Sequence, residues 1–225
     1  FVISDGNCVK SFDTAQDHKR VFEGDKGQNT GGMGAYSPSR LMNADLKRKI
    51  INKIINPTIN GLKELNIEYK GFLYAGLMID ENQVPYVLEY NCRLGDPEAQ
   101  AILMRLESDI IDIFLATINK KLDDLEIKWK NESACTIVLA SEGYPGPYKK
   151  GIKIEGLDHE INGTKVFHSG TKKKDGNFVT NGGRVISVTA LGINLQVAQA
   201  KAYDRSNQIS WEGKIKRHDI GEKEI

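Results

Sequence analysis

Residues 86–98 read Y-V-L-E-Y-N-C-R-L-G-D-P-E, from Tyr86 to Glu98. As a strand, this stretch sends alternate side chains to opposite faces. Leu88, Tyr90 and Cys92 fall on one face; Glu89, Asn91 and Arg93 fall on the other. One face therefore offers apolar packing, and the other a carboxylate, an amide oxygen and a guanidinium in a row. Leu94-Gly95-Asp96-Pro97 then breaks the strand and opens a helix, with Asp96 as N-cap and Pro97 at its first position. Glu-x-Asn places two hard oxygen ligands on one side of a rigid element. That suits a magnesium-like ion, which is held by few protein oxygens while phosphates and water fill the other positions. Arg93, one alternation further, is placed to meet an anion beside that ion.

A polar row on a strand face is ordinarily just solvated, and Glu-x-Asn occurs by chance. The neighbourhood favours a site. Phe72 to Ile79 is an almost unbroken apolar run, the pattern of a buried strand. Asp80-Glu81-Asn82-Gln83 is a turn, and Val84 to Tyr90 returns. This hairpin is expected to bury Glu89 and Asn91 beside a core, where a carboxylate needs a partner.

The chain has 225 residues, enough for one large domain or two small ones. Its 40% hydrophobic and 27% charged residues are those of an ordinary globular protein. A net charge of +1 gives no field pointing to nucleic acid or to an anionic membrane, and neither is expected as a partner. No apolar run reaches the ~18–20 residues of a spanning helix. Cys8, Cys92 and Cys135 are scattered and show neither metal spacing nor a disulfide framework, so a reducing cytoplasm is the expected compartment. The start, F-V-I-S-D-G, reads as mid-strand, and a fragment is expected.

Upstream of the central hairpin, Phe1–Ile3 and Cys8–Phe12 read as a hairpin turned at Asp5-Gly6. Glu23 to Pro38 reads as one loop holding five glycines. Gly31, Gly32 and Gly34 let its backbone approach a ligand, and its N–H groups can form an anion-binding concavity. No P-loop signature follows. His18-Lys19-Arg20 just before it favours a phosphate-binding region over a plain surface loop, although His18 alone reads as a surface residue. Asn43 caps a helix with the stripe Leu46, Ile50, Ile51, Ile54 and Ile55, which Pro57 kinks or restarts. Pro97 to about Lys120 is expected to be helical, with a fresh cap at Ser108-Asp109.

A charge-dense stretch over 121–132 reads as a linker, with a boundary near Asn131. Beyond it, Ala134–Ala140 is a buried strand and Lys165–His168 another. Phe178–Thr180 and Arg184–Ala190 read as a hairpin turned at Asn181-Gly182-Gly183. Leu195 to about Ile209 is an amphipathic helix, and Gly213–Ile220 a last edge strand. The fold class is α+β in this part.

Six strings together carry a family resemblance: Q-D-H-K-R (Gln16–Arg20), N-T-G-G-M-G-A-Y-S-P (Asn29–Pro38), G-F-L-Y-A-G-L-M-I (Gly71–Ile79), E-Y-N-C-R-L-G-D-P-E (Glu89–Glu98), K-V-F-H-S-G-T-K (Lys165–Lys172) and T-N-G-G-R-V (Thr180–Val185). The chain resembles the C-terminal half of the glycinamide ribonucleotide synthetase (phosphoribosylamine–glycine ligase) family of ATP-grasp enzymes. The resemblance implies an α+β chain. Residues 1–120 are then the C-terminal portion of an ATP-grasp domain, an antiparallel sheet with helices; 121–132 is a linker, and 133–225 a small C-terminal domain. It implies ATP as cosubstrate, Mg²⁺ or Mn²⁺ on Glu89 and Asn91, and joining of glycine to 5-phosphoribosylamine in purine biosynthesis. The chemistry of that reaction then assigns Arg93 to the carboxylate and acyl-phosphate oxygens, and Lys19 and Arg20 to phosphate. The backbone of Asn29, Thr30, Gly31, Gly32 and Gly34 lines the phosphoribosylamine site, with Arg184 reaching the same cleft.

The family's chains begin upstream, so the missing N-terminal half is an expected partner, and this chain alone is expected not to turn over. Many ATP-grasp enzymes carry a further acid on the preceding strand; here that region is Ala75-Gly76-Leu77-Met78. The rival readings are another ATP-grasp carboxylate–amine ligase and a non-catalytic module keeping the fold.

Overall fold

A computed structural model describes residues 1–222. In chain order the first half holds β1 (Val2–Asp5), β2 (Val9–Ser11), β3 (Gln16–Asp17), β4 (Arg20–Phe22), β5 (Lys26–Asn29), β6 (Gly34–Ser37), α1 (Ala44–Ile50), α2 (Asn56–Glu64), β7 (Lys70–Ile79), β8 (Pro85–Asn91), α3 (Glu98–Arg105) and α4 (Ile110–Ile118). The second holds β9 (Ser133–Ser141), β10 (Thr164–His168), β11 (Thr171–Lys174), β12 (Asn177–Thr180), β13 (Arg184–Gly192), α5 (Leu195–Asn207) and β14 (Lys214–Ile215).

These elements form two compact units. The first comprises 1–14, 39–95 and 106–130; the second comprises 15–38, 96–105 and 131 onward. Sequence reading draws one cut near Asn131, whereas the packing draws several. The reason is that β6 pairs with β9, β3 pairs with β6, and α3 buries Ala101 against Ala134 and Leu191.

The first unit is built on an antiparallel sheet of order β2–β1–β7–β8. The turn after β1 forms because the Asp5 carboxylate accepts the N–H groups of Asn7 and Cys8. One sheet face packs on α1 and α2 through Val2, Leu46, Ile50, Ile54, Ile55, Ile59 and Leu73. Burying each of these side chains is worth about 1.5–3 kcal/mol. Asn43 caps α1, its Oδ1 accepting from the N–H of Leu46 at 2.8 Å. A π-helical turn over Ile51–Ile55 joins α1 to α2 just ahead of Pro57, which lacks the N–H that a regular helix would use. On the other face Phe72 meets Phe12 and Phe114 edge-on.

Where a helix from Pro97 to Lys120 is expected, α3 and α4 are separated by 106–109, and Asp109 caps α4. The helix starts at Glu98, and Asp96 is not its N-cap. Its Oδ1 instead accepts from Gln100 Nε2 at 2.8 Å.

The second unit has a sheet of order β10–β13–β9–β6–β3, with β14 also on β9. β9 and β13 are buried along most of their lengths, and the hydroxyls of Thr136 and Thr189 meet at 2.8 Å between them. Leu195, Ala198 and Ala202 of α5 pack on this sheet. Two expectations are corrected here. β12 pairs with β11 through a turn at Asp175-Gly176, not with β13 across Asn181–Gly183. Both turn residues have positive φ, 49° and 78°, as a tight hairpin demands. And Glu23–Pro38 is not one loop, because it contains β5, which pairs with β4, and β6, which pairs with β9. A Cβ at Gly34 would lie 2.7 Å from the Thr136 carbonyl, so that glycine permits β6 to sit in the sheet. The edge strand expected over 213–220 is confined to Lys214–Ile215. Residues 223–225, the end of the expected C-terminal domain, lie outside the described residues.

Candidate active site

β8 positions the acidic pair. It is an edge strand, and its pairing with β7 carries a bulge. Gly76 faces Glu89 and Leu77 faces Val87, which leaves Leu88 without a partner. The bulge resets the alternation. Tyr74, Gly76, Met78, Tyr86, Glu89 and Asn91 share one face; Ala75, Leu77, Val87 and Tyr90 share the helix-packed one. The Tyr90 hydroxyl hydrogen-bonds that of Thr58 on α2 at 2.8 Å.

Two expectations are overturned. Leu88 is 64% exposed and contributes no packed face. Glu89 is exposed and Asn91 half-buried, because this part of the face carries no covering element among the described residues.

Gly76 makes room for Glu89. A Cβ there would lie 3.0 Å from Glu89 Cγ and 3.3 Å from the Tyr74 ring. Among the described residues the Glu89 and Asn91 side chains engage in no hydrogen bond or ion pair. The uncommitted carboxylate of Glu89 and amide oxygen of Asn91 on one strand face fit a divalent cation that draws its remaining ligands from phosphate and water. Among the described residues no group of three or more His, Cys, Asp or Glu has a metal-holding arrangement.

Arg93 lies past the strand end at Asn91, so the strand does not carry it onto that face as a third member. Its Nη1 donates to the Leu94 carbonyl at 2.9 Å, and the residue is exposed.

In the second unit, Lys19 Nζ lies 2.7 Å from Asp17 Oδ2, and Arg20 Nη1 donates to the Gly27 carbonyl at 2.7 Å. His18 is not a surface side chain. Burial, then the nearby Arg217 charge, drive its pKa down to about 4, and its Nε2 accepts from the Gly221 N–H at 3.2 Å.

The glycine-rich turn is a closed framework and not an open anion nest. The Thr30 N–H donates to the Lys19 carbonyl (2.7 Å), Gly31 to Tyr144 Oη (3.0 Å), Gly32 to Thr30 Oγ1 (2.9 Å) and Met33 to the His18 carbonyl (2.9 Å). Arg184 joins this turn from β13, donating to the Gly31 carbonyl at 2.8 Å and to the Asp96 carbonyl at 2.6 Å.

Sequence reading passed over four residues here. Asp17 is a carboxylate whose side chain is 7% exposed. Burial, then the Glu98 charge, push its pKa up to about 7 against the opposing Lys19. Glu98 itself is buried at the start of α3. Tyr144 and Arg217 reach across the unit from distant sequence. Asp17 and Glu98 carried a signal, since Asp17 stands in the same string as Lys19 and Glu98 in the same string as Glu89.

Comparison with known proteins gives one answer along the chain. Residues 1–99 match the family "Phosphoribosylglycinamide synthetase, ATP-grasp (A) domain", and residues 134–223 match "Phosphoribosylglycinamide synthetase, C domain". The chain is 52% identical to the phosphoribosylamine–glycine ligase of Vibrio parahaemolyticus over all its residues, covering 52% of that protein. It is 49% identical to that of Pasteurella multocida, with 98% of this chain and 51% of that protein covered. The crystal structure of phosphoribosylamine–glycine ligase from Thermotoga maritima superposes with a TM-score of 0.88 at 34% identity, covering 97% of this chain and 54% of that one. The biotin carboxylase domain of a thermophilic 2-oxoglutarate carboxylase shares the fold alone, with a TM-score of 0.66 at 16% identity and coverage of 95% and 46%. The chain thus spans about half the length of the curated relatives it matches.

Proposed function

The chain belongs to the phosphoribosylglycinamide synthetase family, and on that footing we propose that it carries the cation-binding strand and the C-terminal part of a phosphoribosylamine–glycine ligase. The reaction is ATP-dependent ligation of glycine to 5-phosphoribosylamine, giving glycinamide ribonucleotide, ADP and phosphate in the cytoplasm. The reading assigns residues 1–120 to an ATP-grasp domain, 121–132 to a linker and 133–225 to a small C-terminal domain. The other half of such an enzyme supplies the remaining nucleotide contacts.

The observation that carries this reading is the pair of uncommitted side chains of Glu89 and Asn91 on one strand face, with Gly76 leaving space beside them. These two residues hold Mg²⁺ or Mn²⁺, which when bound neutralises charge on the nucleotide phosphates. A glycine carboxylate is a poor acyl donor because its leaving group would be oxide. Phosphorylation to glycyl phosphate supplies a good leaving group, and the amine of phosphoribosylamine then displaces phosphate. Arg93 serves the carboxylate and acyl-phosphate oxygens. Its contact with the Leu94 carbonyl is solvent-exposed, so it can be exchanged for an anion. Lys19 and Arg20 supply positive charge toward phosphate. The backbone of Asn29–Gly34 lines the phosphoribosylamine site as a rigid surface.

The test is ADP release by the full-length protein across a panel of amino acids with phosphoribosylamine present. Release that depends on glycine is expected. Release that needs a different acid contradicts the assignment.

A further inference from the structure

We propose that Arg184 is a positioning residue, which fixes the Gly31–Gly32 turn against Asp96 and does not itself bind a substrate phosphate. The proposal rests on the ligase reading above for its kinetic arm only. The guanidinium is engaged by the protein. Nη1 donates to the carbonyls of Gly31 (2.8 Å) and Asp96 (2.6 Å), with Gly32 O at 3.4 Å, and Nη2 donates to Asp96 Oδ2 at 3.0 Å. A planar fork can serve several acceptors at fixed angles in this way, and a lysine ammonium cannot. The adjacent Asp96 carboxylate offsets its charge.

The fit to the turn is close. A Cβ on Gly31 would lie 2.7 Å from Arg184 Cζ and Nη2, so only glycine lets the guanidinium lie against that backbone. Tyr144 holds the turn from its amide side by accepting the Gly31 N–H. The Tyr144 ring is itself seated on Gly183, where a Cβ would meet it at 2.2 Å. The residue pair 183–184 thus clamps both polar edges of the turn. The turn in turn presses on the acidic residues. A Cβ at Gly32 would lie 2.4 Å from Pro97 Cδ and 2.6 Å from Asp17 Oδ1. Where Arg184 holds Gly31 and Asp96 therefore decides where Asp17 and Glu98 sit.

The experiment compares Arg184→Lys, Arg184→Ala, Gly31→Ala and the Gly31→Ala/Arg184→Ala pair in the full-length protein. Steady-state kinetics and amide hydrogen exchange over residues 29–34 are both read. Both Arg184 variants are expected to lower kcat about tenfold or more while KM for phosphoribosylamine moves less than about threefold. Exchange at Thr30–Met33 is expected to rise at least about tenfold. Gly31→Ala is expected to cost less on the Arg184→Ala background than alone, because its obstacle is gone. The proposal is overturned if Arg184→Lys keeps kcat, Arg184→Ala raises KM for phosphoribosylamine about tenfold or more, and exchange is unchanged. That pattern belongs to a direct phosphate ligand. Should the unaltered protein release no glycine-dependent ADP, the ligase reading fails, and the exchange arm still decides the role of Arg184. Should Arg184→Ala not fold, Arg184→Lys carries both readouts.

Discussion

Arg217 grips Asp219 with two parallel bonds, Nε to Oδ1 and Nη2 to Oδ2, each 2.7 Å long. The arginine side chain is 1% exposed. Its third nitrogen, Nη1, donates to Asp25 Oδ1 and to the Arg20 carbonyl, both at 3.0 Å. One guanidinium thus ties the β4–β5 hairpin, which begins at Arg20, to residues 217–221. Removing one partner of a buried pair leaves the other uncompensated, so Arg217→Ala is expected to cost about 3–5 kcal/mol of stability. Urea unfolding of the chain measures it, and a loss under about 1 kcal/mol refutes the anchoring role. Burial alone would raise the Asp219 pKa, but the Arg217 bonds and the Gly24 N–H bring it down to about 2. This contribution is present above the unfolded value of ~3.9 and is lost as pH falls toward 2. The Arg217→Ala protein is therefore expected to show a shallower acid limb.

The buried carboxylate of Asp17 gives the opposite sign. Burial and then the charge of Glu98 hold its pKa up at about 7, well above the same unfolded value of ~3.9. The folded state thus keeps a proton that the unfolded state has shed. The stability so gained is complete below the unfolded value and is lost as pH rises through about 7. Asp17→Asn is expected to be relatively more stable than the parent at pH 8 than at pH 5. Thermal unfolding across that range reads it, and a difference independent of pH refutes the assignment.

Gly76 gives a steric test. A Cβ there meets Glu89 Cγ at 3.0 Å and Tyr74 at 3.3 Å. Gly76→Ala is expected to raise the Mg²⁺ concentration for half-maximal ADP release at least about threefold by moving the carboxylate, with stability falling by only about 1 kcal/mol. An unchanged Mg²⁺ dependence contradicts the placement of Glu89 beside Gly76.

Local signals carried much of the fold. Asn43 and Asp109 cap the helices they precede, because a side-chain oxygen placed before an apolar stripe satisfies an N-terminal N–H wherever the chain goes next. The Leu46–Ile55 stripe and the Asp80 turn were legible for the same reason. Pairing partners were not. Asn181-Gly182 looks like a hairpin turn, yet β12 turns at Asp175-Gly176, and Gly182 packs against Gly170. The parity of β8 was hidden by the bulge at Leu88, which depends on a neighbouring strand. That Glu89 and Asn91 share one strand face follows from the period-two alternation alone. Tyr144, Arg184 and Arg217 could not be given their contacts, since each reaches backbone more than 100 residues away. No local pattern encodes such a contact.

On the proposed reading, Glu89 and Asn91 cradle the divalent cation of a nucleotide. Electron paramagnetic resonance of Mn²⁺ with ADP, bound to the full-length protein, tests it most directly when the parent is compared with Glu89→Gln and Asn91→Ala. Each substitution is expected to weaken Mn²⁺ binding at least about tenfold, or ~1.4 kcal/mol, while nucleotide binding without metal is retained. Mn²⁺ affinity and spectra unchanged in both variants would contradict the account.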